Sequence, residues 1–77
     1  MKAIIEKYQF FTVWKYGDKV RIIKDKTNKG FYPYVVQKLL DEKRYWLDYG
    51  RFHNLREAKE EAMWLAEDIK MDTERMD

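Results

Sequence analysis

Residues 45–69 read Tyr-Trp-Leu-Asp-Tyr-Gly-Arg-Phe-His-Asn-Leu-Arg-Glu-Ala-Lys-Glu-Glu-Ala-Met-Trp-Leu-Ala-Glu-Asp-Ile, and the fold turns on a change of period inside them. Up to Phe52 the run is aromatic, the composition of a half-buried strand. At Asn54 the pattern changes. Asn54 is a good N-cap residue, and Glu57 three places later completes an Asn-x-x-Glu variant of the capping box. Leu55, Ala58, Ala62, Leu65, Ala66 and Ile69 then fall at offsets 0, 3, 7, 10, 11 and 14. At about 100° per residue these positions form one apolar stripe, which predicts a helix lying on a sheet. After Met71 the period is lost, so residues 1–72 read as one domain and residues 73–77 as a frayed tail.

Working back towards the N-terminus, three turn signals separate strand-like segments. They are Tyr16-Gly17-Asp18-Lys19, the longer basic run Asp25-Lys26-Thr27-Asn28-Lys29-Gly30, and the charged Asp41-Glu42-Lys43. Between them lie four segments rich in aromatic and β-branched residues, roughly 4–15, 19–25, 31–40 and 44–52. Short connections make such strands antiparallel neighbours. Pro33 lacks an N–H, which predicts a strand start or a sheet edge there. The expected fold is α+β: a three- to four-stranded antiparallel meander with one C-terminal helix packed on one face.

Composition bounds what such a fold can do. With 77 residues there is room for one small domain, burying about 60% of the surface its unfolded chain exposes. The chain holds thirteen aromatics and is 39% charged, a pairing foreign to disordered segments. It has no Cys, which excludes disulfides, thiolate zinc sites and cysteine nucleophiles. The opening Met-Lys-Ala-Ile-Ile-Glu-Lys lacks the apolar core of about 7–15 residues that a signal peptide needs, and no run reaches the ~18 of a membrane span. A cytoplasmic location without membrane contact is the expectation. The net charge of +2 conceals an asymmetry: residues 1–53 carry 12 Lys/Arg against 6 Asp/Glu, and residues 54–77 carry 4 against 8. Either two surfaces have opposite preferences, or the halves satisfy one another within a monomer or across a dimer.

Catalytic chemistry finds little footing. His53 is the only His, with no nucleophile motif or second ligand beside it. Glu57 and Glu61 share a helix side at i, i+4, as acidic helices commonly arrange. There is no Gly-rich phosphate loop. No enzyme activity, metal or cofactor is expected.

Binding has better candidates. Trp64 lies nine positions after Leu55, roughly 180° from the apolar stripe, and Met71 shares its outer side. Around them stand Glu57, Glu60, Glu61, Glu67 and Asp68. A large ring on an acidic outer face suits a protein partner with a basic surface, including one that normally holds nucleic acid. The alternatives are a tail folded back over Trp64 or a different helical phase. On the sheet, strict alternation puts Tyr8, Phe10, Thr12, Trp14 and Tyr16 on one face, and in the last strand Tyr45, Leu47, Tyr49 and Arg51 opposite Trp46, Asp48 and Phe52. Both faces then carry aromatics, and one helix cannot cover both. The uncovered face would be a homodimer seam, or it would meet duplex DNA through Arg21, Lys24, Lys26, Lys29, Lys38 and Arg51.

From Tyr45 to Ala58, the residues Trp46, Gly50, Phe52, Leu55, Glu57 and Ala58 resemble the last strand and helix start of the arm-binding domains of phage and transposon integrases. That resemblance implies a sheet-plus-helix fold whose sheet contacts DNA. The acidic helix departs from the pattern, and no functional residue carries over. In size and lack of catalytic motifs the chain is similar to small accessory proteins of phages and mobile elements. Two readings result: a non-catalytic protein-binding regulator or inhibitor acting by steric occlusion, and a duplex-binding domain.

Overall fold

A computed structural model describes residues 3–27, 29–40 and 45–75, with side chains in the helix described as far as Ile69. The elements are β1 (Ile4–Lys7), β2 (Phe11–Lys15), β3 (Val20–Asp25), β4 (Tyr34–Leu40), β5 (Tyr45–Phe52) and α1 (Leu55–Arg75). The sheet order is β1-β2-β3-β4-β5 and every pairing is antiparallel. This is the α+β meander with a C-terminal helix, but with five strands rather than three or four.

The extra strand comes from the first segment. Residues 4–15 form two strands joined by a turn at residues 8–10, so Tyr8 and Phe10 leave the face they were assigned by alternation. No Gly, Pro, Asn or Asp marks this turn. It is closed by the Tyr8 N–H donating to the Phe11 carbonyl at 2.9 Å, and by the Tyr8 ring stacking on Phe11 with centroids 4.8 Å apart. Hydrogen bonding and ring stacking do here what turn-forming residues usually do. The second turn follows the ordinary rule: Gly17 adopts φ +77°, and the Tyr16 N–H donates to the Val20 carbonyl at 2.9 Å. Pro33 directly precedes β4, which lies between β3 and β5, so it marks a strand start and not an edge. The Asp41–Lys43 turn lies outside the described residues.

The core forms where α1 meets the sheet. Trp14, Tyr16, Val20, Ile22 and Val36 pack against Ala58, Ala62, Leu65 and Ala66, with Leu55, Ile69, Tyr34 and Phe52 partly buried around them. All six stripe residues therefore face the sheet, as the helical period predicts. Asn54 Oδ1 accepts the Glu57 N–H at 2.9 Å, which satisfies one of the first-turn donors. The helix continues to Arg75, past the point where the apolar period stops. Met76 and Asp77 of the expected tail lie outside the described residues.

Strand β5 changes face partway along. Val36 pairs with Gly50 but Gln37 pairs with Asp48, leaving Tyr49 unmatched in a bulge. Tyr45 and Leu47 consequently share the helix-side face with Gly50 and Phe52, while Trp46, Asp48 and Arg51 turn to the opposite face. This corrects the simple alternation, which put Arg51 with Tyr45 and Phe52 with Trp46. A Cβ on Gly50 would approach the Phe52 ring to 3.2 Å, so the glycine leaves room for that ring beside the core.

Two substitutions test this packing. Ile22 is fully buried, and Ile22→Ala should cost about 2–5 kcal/mol in urea unfolding. Gly17→Ala should cost about 1–2 kcal/mol, because only its left-handed φ is disturbed; nothing lies within 4 Å of the added Cβ.

Candidate functional site

The outward side of α1 follows from its inward side. With the alanine-rich stripe on the sheet, Trp64 faces water and is 68% exposed. Its helical neighbours at three and four residues in both directions are Glu60, Glu61, Glu67 and Asp68, all of them carboxylates. Glu57 and Glu60 are exposed and Glu61 is half-buried. Arg56 approaches Glu60 at 3.8 Å, a solvated pair that leaves the face acidic. Met63, on the flank, is exposed as well. The Met71 side chain lies outside those described. The helical phase thus puts the expected indole on the surface, inside a ring of carboxylates.

The sheet face turned away from α1 is built differently from its sequence-based picture. One row across the sheet aligns Ile4, Lys15, Arg21, Gln37 and Asp48 on successive strands. Arg21 Nε donates to Gln37 Oε1 at 2.8 Å, and Gln37 Nε2 donates to Asp48 Oδ1 at 2.8 Å. Asp48 in turn meets Arg51 at 3.8 Å. The Arg21 guanidinium lies 3.9 Å from the centroid of the Trp46 ring. On the other side of the row, Lys15 Nζ pairs with Glu6 at 3.0 Å, and the Tyr8 hydroxyl donates to the same carboxylate at 2.9 Å. Trp46 on this face is thus covered by a cation, and the charges of the face are largely matched within it. The amide of Gln37 makes this possible, because it accepts from the arginine and donates to the aspartate.

The six basic residues considered for duplex binding do not share one surface. Arg21 and Arg51 lie on the face away from the helix, within the network just described. Lys24 and Lys38 lie on the helix side, where Lys24 sits 5.4 Å from the Tyr34 ring centroid. Lys26 and Lys29 belong to the β3–β4 connection, and Lys26 Nζ donates to the Tyr8 carbonyl at 2.6 Å. Sequence reasoning missed the partners of Arg21, since Gln37 and Trp46 meet it only through the sheet register. The signal available was the presence of complementary side chains at positions that a meander aligns.

Among the described residues no group of three or more His, Asp or Glu side chains is placed to hold a metal ion. Among the described residues no helix is long and apolar enough to cross a membrane. A shallow groove between the β2–β3 turn and the helix is lined by Tyr16, Gly17, Val20, Ala66 and Ile69, among others, and is mostly apolar. Burial pushes the Tyr16 hydroxyl above its ordinary pKa, so it has no tendency to ionise near neutrality.

Glu6 supplies the measurable pH signature of this arrangement. Its hydrogen bonds from Lys15 and Tyr8 hold its carboxyl below the ordinary pKa of 4.5. A carboxylate depressed in this way favours the folded state above its ordinary value, and that contribution is lost as pH falls through the depressed value. In an NMR titration Glu6 should ionise below the ordinary glutamate value, and Lys15→Met should move it back upward. An unchanged Glu6 titration in Lys15→Met would show that the pairing does not persist in solution. No family model, curated protein or solved structure matches the chain.

Proposed function

We propose that the chain is a non-catalytic protein-binding module. In this reading it is a small regulator or inhibitor of the phage accessory type, and it acts by occluding a partner that presents a basic surface. The reading rests on Trp64, an exposed indole whose four nearest helical neighbours are carboxylates.

The chemistry of that surface favours a cationic counterpart. An arginine or lysine of the partner can lie over the indole face while Glu60, Glu61, Glu67 or Asp68 accept its N–H groups. Charge of one sign steers the approach, and the ring supplies a desolvated anchor once the surfaces meet. Among the helix side chains described, the basic groups are exposed Arg56 and half-buried Lys59, too few to cancel that preference. Such a face can mimic the combination of negative charge and flat rings that a nucleic-acid-binding protein accepts. Duplex binding by the sheet has less support, because Arg21 and Arg51 are engaged within their own face and Lys24 and Lys38 lie on the other.

The test compares wild type and Trp64→Ala as immobilised bait in native-cell extract. Captured proteins are then purified and titrated by calorimetry. A partner lost with the indole should bind Trp64→Ala about 30-fold or more weakly, the scale of a hot-spot residue. The variant itself should unfold within about 0.5 kcal/mol of wild type, since the ring is exposed. Equal affinity of every captured protein for the two baits would overturn the reading.

A further inference from the structure

The turn at residues 8–10 and the β3–β4 connection lie at the same end of the sheet. They are tied together by the Lys26 N–H, which donates to the Phe10 carbonyl at 2.8 Å, and by the Lys26 ammonium on the Tyr8 carbonyl. The first contributes Tyr8, Phe10 and Phe11, all exposed, with Tyr8 and Phe11 already stacked. The second contributes Phe31 and Tyr32, which are 82% and 58% exposed. The Tyr8–Phe11 stack helps to close its turn, but among the described residues no ring contact holds Phe10, Phe31 or Tyr32, and five exposed rings at one end are out of proportion to isolated surface residues. Lys7, Lys24, Lys26 and Lys29 flank these rings in the sequence against Asp25 and Glu6, and Glu6 is already paired with Lys15 and the Tyr8 hydroxyl. The connection has local order: Asp25 Oδ1 accepts both the Thr27 N–H at 2.8 Å and the Thr27 hydroxyl at 2.7 Å.

We infer that this end of the sheet is a binding site for single-stranded nucleic acid, with bases stacking on the exposed rings and lysines meeting the phosphates. Unpaired bases offer the flat faces that such rings need, and the backbone supplies the negative charge that four lysines attract. A duplex keeps those faces inside its own stack. Two copies of this end would bring lysines against lysines. The site is separate from the Trp64 face, so neither assignment depends on the other.

Fluorescence anisotropy of a labelled oligothymidylate of about 15 nucleotides tests the assignment. Binding to the full chain should weaken steeply as salt rises, and a duplex of equal length should bind less tightly at each salt concentration. Phe31→Ala and Phe10→Ala, each removing a ring from one loop, should each weaken binding about tenfold. Because both rings are largely exposed, the variants should retain the wild-type circular dichroism and melting temperature. Lys29→Glu should weaken binding and flatten the salt dependence. Absence of binding at low salt would overturn the inference, as would undiminished binding in folded Phe31→Ala and Phe10→Ala. It would also be overturned if light scattering showed a concentration-dependent oligomer that Phe31→Ala dissolves and oligothymidylate does not, since a second copy would then be the occupant.

Discussion

Ala58, Ala62 and Ala66 bring α1 close enough to the sheet that Val20, Ile22 and Val36 lose essentially all contact with water. Larger side chains along that stripe would hold the helix away and leave those three residues wet. The helix lies over β3, β4 and β5, and its backbone does not reach β1 or β2. Trp14 of β2 and Tyr16 just after it nevertheless join the core cluster of the helix, with the Trp14 ring 6.1 Å from that of Tyr34 and Tyr16 beside Ala66 and Ile69. β1 receives no comparable cover, and Ile4 and Ile5 remain exposed on it. Committing the small-residue stripe to the sheet also leaves the opposite side of α1 facing water, where Trp64 stands.

Electrostatics are distributed by the same geometry. The face of the sheet away from α1 keeps most of its charges to itself, through Lys15–Glu6 and the chain from Arg21 through Gln37 and Asp48 to Arg51. Burial lowers the Arg21 pKa from its ordinary value without threatening its charge. What remains for other molecules is concentrated elsewhere: carboxylates along the outside of the helix, lysines at the loop end. The modest net charge therefore describes neither surface.

The parts of this molecule that follow local rules were legible in the sequence. Asn54 and the stripe from Leu55 to Ile69 announce the helix, its start and its phase, and the phase in turn places Trp64 outside. Gly17 and the alternation of Thr12, Trp14 and Tyr16 behave the same way. Non-local choices were not legible. The turn at residues 8–10 uses residues that otherwise favour strands, and it closes through a backbone hydrogen bond and a ring stack. The bulge at Tyr49 reverses the faces of β5, and strict alternation cannot register one additional residue. The neutralisation of the far sheet face depends on Arg21, Gln37 and Asp48 falling in one row, which only the paired strands define.

The strand order in space is the order in the chain, and α1 comes last. Each strand pairs with the one before it in the chain, so the sheet can assemble through local contacts, with short loops and little entropy to overcome. The apolar surface of that sheet nevertheless has no cover until α1 packs on it. A truncated product ending near Phe52 would leave Val20, Ile22 and Val36 without their helical cover, and its removal would fall to the cell's quality control.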